Sequence, residues 1–264
     1  MTYRLSIASY LWSVFFGLVF WLLAALFIRF TGPTLFSEAT PSRLLLLIAS
    51  IPVTYLFYWT ANRIAAQHPD RAIQSVNIMA FVATIMDGIA LTWFGDFYGP
   101  TAEIRLFGAA WLLWGVGTGS IFALIQSKKI TVPSVYIYTK QYSILIGLGV
   151  GFWALGVVFV NILGEPLLLA DGPTKLLPLL ISIPNAFICI VIGRWLTKLP
   201  STIMVRMMLI MSTAAIVLDG FALSLFPDLY HGDLLAQQLG SAWILFTFGI
   251  GFLVADLWEG IEVS

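Results

Sequence analysis

The chain has 264 residues, of which 60% are hydrophobic and only 10% charged, and its 13 Lys and Arg balance 13 Asp and Glu. A soluble domain carries about 25% charged residues, so this chain lacks the polar surface to face water and the bilayer is its solvent. Zero net charge offers no basic face to a nucleic acid. The single cysteine, Cys189, excludes an intramolecular disulfide and reads as a small buried apolar residue.

A spanning helix needs about 20 mostly apolar residues. Eight stretches meet that requirement: 10–30, 43–65, 73–94, 106–126, 142–163, 176–197, 204–226 and 239–258. The first apolar run, 7–28, is longer than the roughly 7–15 residues of a signal-peptide core and follows only Arg4, so it is expected to be a retained span. Loops are marked by Gly32-Pro33, Gly99-Pro100, Gly172-Pro173 and Pro227-Asp228. A polar stretch with Lys128, Lys129, Pro133 and Lys140 separates the fourth and fifth spans.

The second half repeats the first without a gap. Asp87 corresponds to Asp219 (219 − 87 = 132), and Trp21, Ser50, Pro52, Trp111 and Gly117 to Trp153, Ser182, Pro184, Trp243 and Gly249. The longest match sets Met86-Asp87-Gly88-Ile89-Ala90-Leu91, with Asp96-Phe97-Tyr98, against Leu218-Asp219-Gly220-Phe221-Ala222-Leu223, with Asp228-Leu229-Tyr230. The expected organisation is an all-α membrane bundle of two four-helix repeats, 1–127 and 142–264, with a cytoplasmic linker over 128–141. Four spans per repeat make the copies parallel, with a pseudo-two-fold axis along the membrane normal.

Arg4, Arg63, Arg71, Lys128, Lys129, Lys140, Arg194, Lys198 and Arg206 fall on one side, and Arg29, Arg43, Arg105 and Lys175 on the other. The positive-inside rule then places both termini in the cytoplasm. The outer loops instead hold acids: Glu38, Asp96, Glu103, Glu165, Asp171, Asp228 and Asp233.

The ordered marks of the first half are Phe27-Ile28-Arg29 closing a Trp-containing helix, Ile51-Pro52, Met86-Asp87, and Ala110-Trp111-Leu112-Leu113-Trp114-Gly115. Together they resemble a family of small four-helix bacterial membrane proteins known only as a domain of unknown function. The resemblance covers most of 10–126, and more weakly 142–258. It implies a bundle fold, a multi-pass place in the bacterial inner membrane and no established activity. That family is usually a single copy, so the fusion departs from it.

Asp87 and Asp219 are the residues of most interest. Asp87 lies roughly 21 Å into a hydrocarbon core of about 30 Å. A carboxylate there costs about 2.5–3.5 kcal/mol on insertion scales, so it is expected to face a partner, a cavity or the bundle interior. Asn77, Ala80, Thr84, Asp87 and Ala90 form one small, polar stripe, matched by Ser212, Ala215, Asp219 and Ala222. Two readings follow: a proton-titrating pair near a pseudo-symmetric centre, or carboxylates hydrogen-bonded to neighbouring helices, with Arg29 as the partner of Asp87. Arg29 becomes Asn161 in the second copy, so an Arg29–Asp87 pair would have no cation in its counterpart.

Gly115, Gly117 and Gly119, and the GxxxG pair Gly147 and Gly151, point to close helix packing, or to a flat groove for a lipid or pigment. Pro52 and Pro184 lie inside spans, where each removes a backbone donor and is expected to kink its helix. Trp12, Trp59, Trp93, Trp195 and Trp258 sit near span ends, as interface anchors do. Trp21, Trp153, Trp111 and Trp243 read as packing positions or pocket walls. His68 and His231 lie in loops on opposite sides, and no Cys/His spacing reads as a metal site. No P-loop, dinucleotide fingerprint or nucleophile elbow occurs.

The reading favoured by this sequence is a non-enzymatic membrane subunit, or a scaffold for lipid or pigment, with membrane lipids and other membrane subunits as partners. A small-molecule transporter, proton-coupled through Asp87 and Asp219, is the alternative. A membrane enzyme acting on a lipid or isoprenoid is the third class, for which no catalytic set is present.

Overall fold

Among the described residues, eight long apolar helices follow one another, and each is long enough to cross a membrane. They are α1 (Ile7–Leu35), α2 (Thr40–Ala61), α3 (Ala72–Trp93), α4 (Ala102–Ser127), α5 (Thr139–Leu163), α6 (Leu177–Thr197), α7 (Met204–Leu225) and α8 (Leu234–Glu262). A computed structural model describes residues 5–36, 40–66, 71–127, 137–170 and 172–262. No strand occurs among the described residues. With backbone donors and acceptors paired inside each helix, this is an all-α, multi-pass membrane protein. Most of the expected linker 128–141, together with Arg4, Glu38, His68 and Asp171, lies outside the described residues.

The helices divide into an inner and an outer set. The central stretch of α3 is 78% buried and those of α7 and α8 are 72% buried, against 22% for α1, α2 and α5. The inner set is α3, α4, α7 and α8, in which α3 packs on α8 and α4 on α7. Outside it, α1 packs on α3, α2 on α4, α5 on α7 and α6 on α8. The pairs α1–α2 and α5–α6 touch only slightly.

Small residues explain the inner contacts, because apolar surface gains nothing by leaving lipid for protein, and close approach is what stabilises such a bundle. A Cβ on Gly88 would stand 2.6 Å from Phe246 Cβ and 2.8 Å from the Ala242 carbonyl oxygen. A Cβ on Gly220 would stand 2.7 Å from the Trp114 nitrogen and 3.0 Å from the Ala110 carbonyl oxygen. These contacts fall at positions 132 apart, with the two halves exchanged. Gly117 against Val217 and Gly249 against Ile85 show the same exchange. Gly17 faces Met79 and Val82 just as Gly149 faces Met211 and Ala214.

The ends of the helices differ from the sequence expectation most clearly in two places. Gly32-Pro33 does not open a loop: both residues lie in the last turn of α1, which continues to Leu35. Proline is tolerated there because neighbouring groups in a membrane bundle take up the freed backbone group. Gly32 is needed at that point, since a Cβ would stand 2.6 Å from Ile104. Second, α8 begins at Leu234 and runs to Glu262, beyond the expected 239–258 at both ends. Its start is capped by Asp233, whose Oδ1 accepts from the Ala236 N–H at 2.8 Å. Pro52 and Pro184 sit inside α2 and α6, and both helices continue through them.

Candidate functional site

The site grows out of the turn that follows α3. The helix ends at Trp93, a short 3₁₀ turn covers Gly95–Phe97, and the chain doubles back so that Tyr98 returns beside Asp87. The Tyr98 hydroxyl donates to Asp87 Oδ1 at 2.5 Å, and Trp21 Nε1 donates to the same hydroxyl at 2.9 Å. Tyr98 is completely buried. Burial pushes its phenol pKa up, and the neighbouring Asp87 carboxyl adds to that, so Tyr98 keeps its proton and serves as the donor.

The second half builds the same chain of groups. The Tyr230 hydroxyl donates to Asp219 Oδ1 at 2.6 Å, and Trp153 Nε1 donates to Tyr230 at 3.0 Å. Burial and Asp219 likewise raise the Tyr230 phenol. Tyr98 and Tyr230 fall inside the longest repeated motif, where sequence alone assigned them no role. Their constant spacing of 11 residues from the aspartates is the signal that marks them.

Arg29 is not the partner of Asp87. Its Nη1 donates to the carbonyl oxygens of Asp96 at 2.9 Å and Phe97 at 3.3 Å. In the second half Asn161 donates to the corresponding carbonyl, that of Leu229, at 3.4 Å. Both side chains hold the turn that carries the tyrosine. The aspartate needs no cation because the phenol already satisfies one of its oxygens.

Each aspartate lies on the wall of its own cavity. The first, of about 520 Å³, lies among α1, α2, α3 and α4, and its lining includes Trp21, Phe27, Asp87, Trp111, Gly115 and Gly119. The second, of about 290 Å³, lies among α5, α6, α7 and α8, lined by Trp153, Phe159, Asp219, Trp243, Thr247 and Gly251 among others. These six pairs are 132 positions apart, yet the two cavities share no lining residue. The aromatic walls are alike: Phe27 stacks on Trp111 with ring centroids 5.0 Å apart, and Phe159 on Trp243 at 4.1 Å. Larger side chains shrink the second cavity, where Ile181, Phe248 and Met208 stand in place of Ala49, Val116 and Val76.

Both cavities reach the lipid-facing surface. Leu23 on α1 and Val53 and Phe57 on α2 line the first and are 40–48% exposed. Leu155 on α5 and Ile181 and Ile188 on α6 do the same for the second. Each cavity thus opens to the outside of the bundle between two loosely touching outer helices.

The remaining predicted residues separate. Asn77 is buried on α3 and its Nδ2 donates to the Phe252 carbonyl on α8 at 3.0 Å. Thr84 returns its hydroxyl to the Ala80 carbonyl of its own helix at 2.7 Å. Neither lines either of these two cavities. Gly147 and Gly151 are exposed, and a Cβ added to either would meet nothing within 4 Å. The packing expected of that GxxxG pair falls instead to Gly149. Pro52 and Pro184 line neither cavity. His231 accepts from the Asp233 N–H at 2.9 Å, and among the described residues no cluster of metal-ligating side chains occurs.

Compared with protein-family models, with curated proteins and with solved structures, the chain finds no match.

Proposed function

We propose that this protein is a non-enzymatic membrane subunit that holds lipid-like or pigment molecules taken laterally from the bilayer, one in each half. The observation that carries this reading is the pair of apolar, aromatic-walled cavities that open between lipid-facing helices. Their volumes lie at or near the roughly 300–1,000 Å³ typical of small-molecule sites, which are mostly apolar with a few placed polar groups. The contacts that coincide at positions 132 apart support two parallel repeats about a pseudo-two-fold axis. The excess of Lys and Arg on one side supports cytoplasmic termini, and the family resemblance supports the inner membrane of a bacterium.

A small-molecule transporter is the second reading. It is favoured by carboxylates at membrane depth, which often mark ion or proton paths. Against it, the two cavities share no lining residue and so do not form one path.

Native mass spectrometry of gently extracted protein, with an absorption spectrum of the same sample, tests the proposal. Up to two co-purifying lipid or pigment molecules per chain, lost when Ala24→Trp and Gly156→Trp fill the cavities, are the expected result. A chain that emerges bare, and that carries a proton flux abolished by Asp87→Asn and Asp219→Asn, would overturn it in favour of transport.

A further inference from the structure

Resting on the reading of the cavities as apolar binding sites, we propose that their ligands are single-tailed amphiphiles whose head is a hydrogen-bond donor, a primary amine or a hydroxyl, held by Asp87 in the first cavity and by Asp219 in the second. The aspartates are 1% and 3% exposed and line the cavities. Only one oxygen of each has a hydrogen-bond partner among the described residues, the tyrosine hydroxyl on Oδ1. The second oxygen of each carboxyl has no hydrogen-bond partner among the described residues, and each aspartate lines its cavity, so that oxygen is the polar group left for a ligand. Arg29, the cation that the sequence offered as a counter-ion, is committed to the turn carbonyls.

The shape of each cavity fixes the rest of the ligand. Along α3 the lining runs from Asp87 to Val76, and along α7 from Asp219 to Met208. That is about three helical turns, roughly 16 Å, with the carboxyl at the end nearer the α3–α4 or α7–α8 turn. The ligand therefore points its head toward that face of the membrane and lays its tail along the apolar remainder. A carboxylic acid would set one acceptor against another. A quaternary ammonium has charge without a donor.

The second cavity carries an additional mark. Ser212 lines it, is 2% exposed, and its Oγ has no hydrogen-bond partner among the described residues. It stands two turns from Asp219, roughly 10 Å along α7. Its counterpart in the first cavity is Ala80. A second polar point on the ligand, reaching this depth, would give the Ser212 hydroxyl the partner it lacks, and the first cavity offers no such group.

The test measures binding of dodecylamine, dodecanol, dodecyltrimethylammonium and laurate to the whole protein in lipid nanodiscs, by native mass spectrometry and competition. The amine and the alcohol are expected to bind about two- to ten-fold more tightly than the other two, the range that one ordinary hydrogen bond supplies. Asp87→Asn keeps an oxygen for Tyr98 and turns an amide donor toward the cavity, so the preference at one site should shift toward laurate. Ser212→Ala should weaken a linear diol at one site only and leave dodecanol unchanged. Equal binding of all four probes would overturn donor recognition while leaving the cavities as apolar sites. Tight binding of the quaternary probe would reduce recognition to charge and overturn it as well. Failure of every probe to bind would remove the underlying reading. The wild-type comparison alone decides the matter if a variant does not fold.

Discussion

Gly88→Ala should destabilise this protein, whereas Gly147→Ala should not. On Gly88 the added methyl would meet Phe246 Cβ at 2.6 Å, the Ala242 carbonyl oxygen at 2.8 Å and the Phe246 nitrogen at 2.9 Å. Non-bonded carbon atoms rest about 3.5–4.0 Å apart. Two of the three obstacles are backbone, so no rotamer change relieves them and α3 must move away from α8. Overpacking of this kind costs about 1–3 kcal/mol, and the helix recovers only about 0.5–1 kcal/mol from replacing glycine. The expected net loss is about 1 kcal/mol and at most roughly 2.5 kcal/mol. On Gly147 the methyl meets nothing within 4 Å, so only the favourable contribution remains, about 0.4–1 kcal/mol at most. Thermal unfolding in one mild detergent is the assay. At about 2–4 °C per kcal/mol for a chain of this order of size, the two variants should move Tm in opposite directions. Gly220→Ala should behave like Gly88→Ala, since its obstacles are the Trp114 backbone and the Ala110 carbonyl oxygen. If Gly88→Ala is as stable as Gly147→Ala, α3 and α8 do not meet there, and the inner bundle is wrong.

Tyr98→Phe removes the donor to Asp87 and the acceptor of Trp21 together; at about 1–3 kcal/mol for each buried group left unsatisfied, it should cost roughly 2–6 kcal/mol in chemical unfolding. Trp21→Phe added to it should then cost little more, because the coupling is already gone, and a fully additive double variant would deny the chain of hydrogen bonds. Arg105→Gln should change stability by less than about 1 kcal/mol, since the Arg105–Asp96 pair at 3.0 Å has its acid 90% exposed; a larger loss by the same assay would show that charge matters in that turn. The raised phenols of Tyr98 and Tyr230 imply that the native state retains protons which the unfolded chain releases near pH 10. Their contribution to stability is complete below that pH and falls as pH rises beyond it. Ultraviolet titration of native and unfolded protein should therefore show at least two tyrosines that ionise only after unfolding.

The eight spans were legible because a membrane helix must be apolar over its whole length, and that demand survives any particular packing. The choice among the glycines of α5 was not. Residues 147, 149 and 151 alternate by about 200° around a helix, so spacing alone serves a face with 147 and 151 as well as one with 149, and only contact with α7 selects Gly149. The repeat held the answer, since Gly149 corresponds to Gly17, while Gly147 and Gly151 correspond to Phe15 and Val19. The aspartates stood out by their cost in lipid. The cavities beside them did not, because they arise from the separation of α1 from α2 and of α5 from α6, which no local pattern encodes.

Comparison of the halves also corrects how a lost charge should be read. Arg29 becomes Asn161, and in sequence that looks like the removal of a counter-ion from the second aspartate. In the structure each donates to a carbonyl of the turn before the tyrosine. Arg105 becomes Gln237, and each donates to the acid of the same turn, Asp96 at 3.0 Å and Asp228 at 3.2 Å. Twice a guanidinium gives way to an amide, and twice the donor remains while the charge is lost. What the two halves have in common is therefore a hydrogen-bonded clamp on the turn. That clamp places a tyrosine hydroxyl 2.5–2.6 Å from a carboxylate oxygen and leaves the other oxygen to the cavity. Long-range attraction between charges would not tolerate such exchanges, whereas a clamp that depends on donor position does.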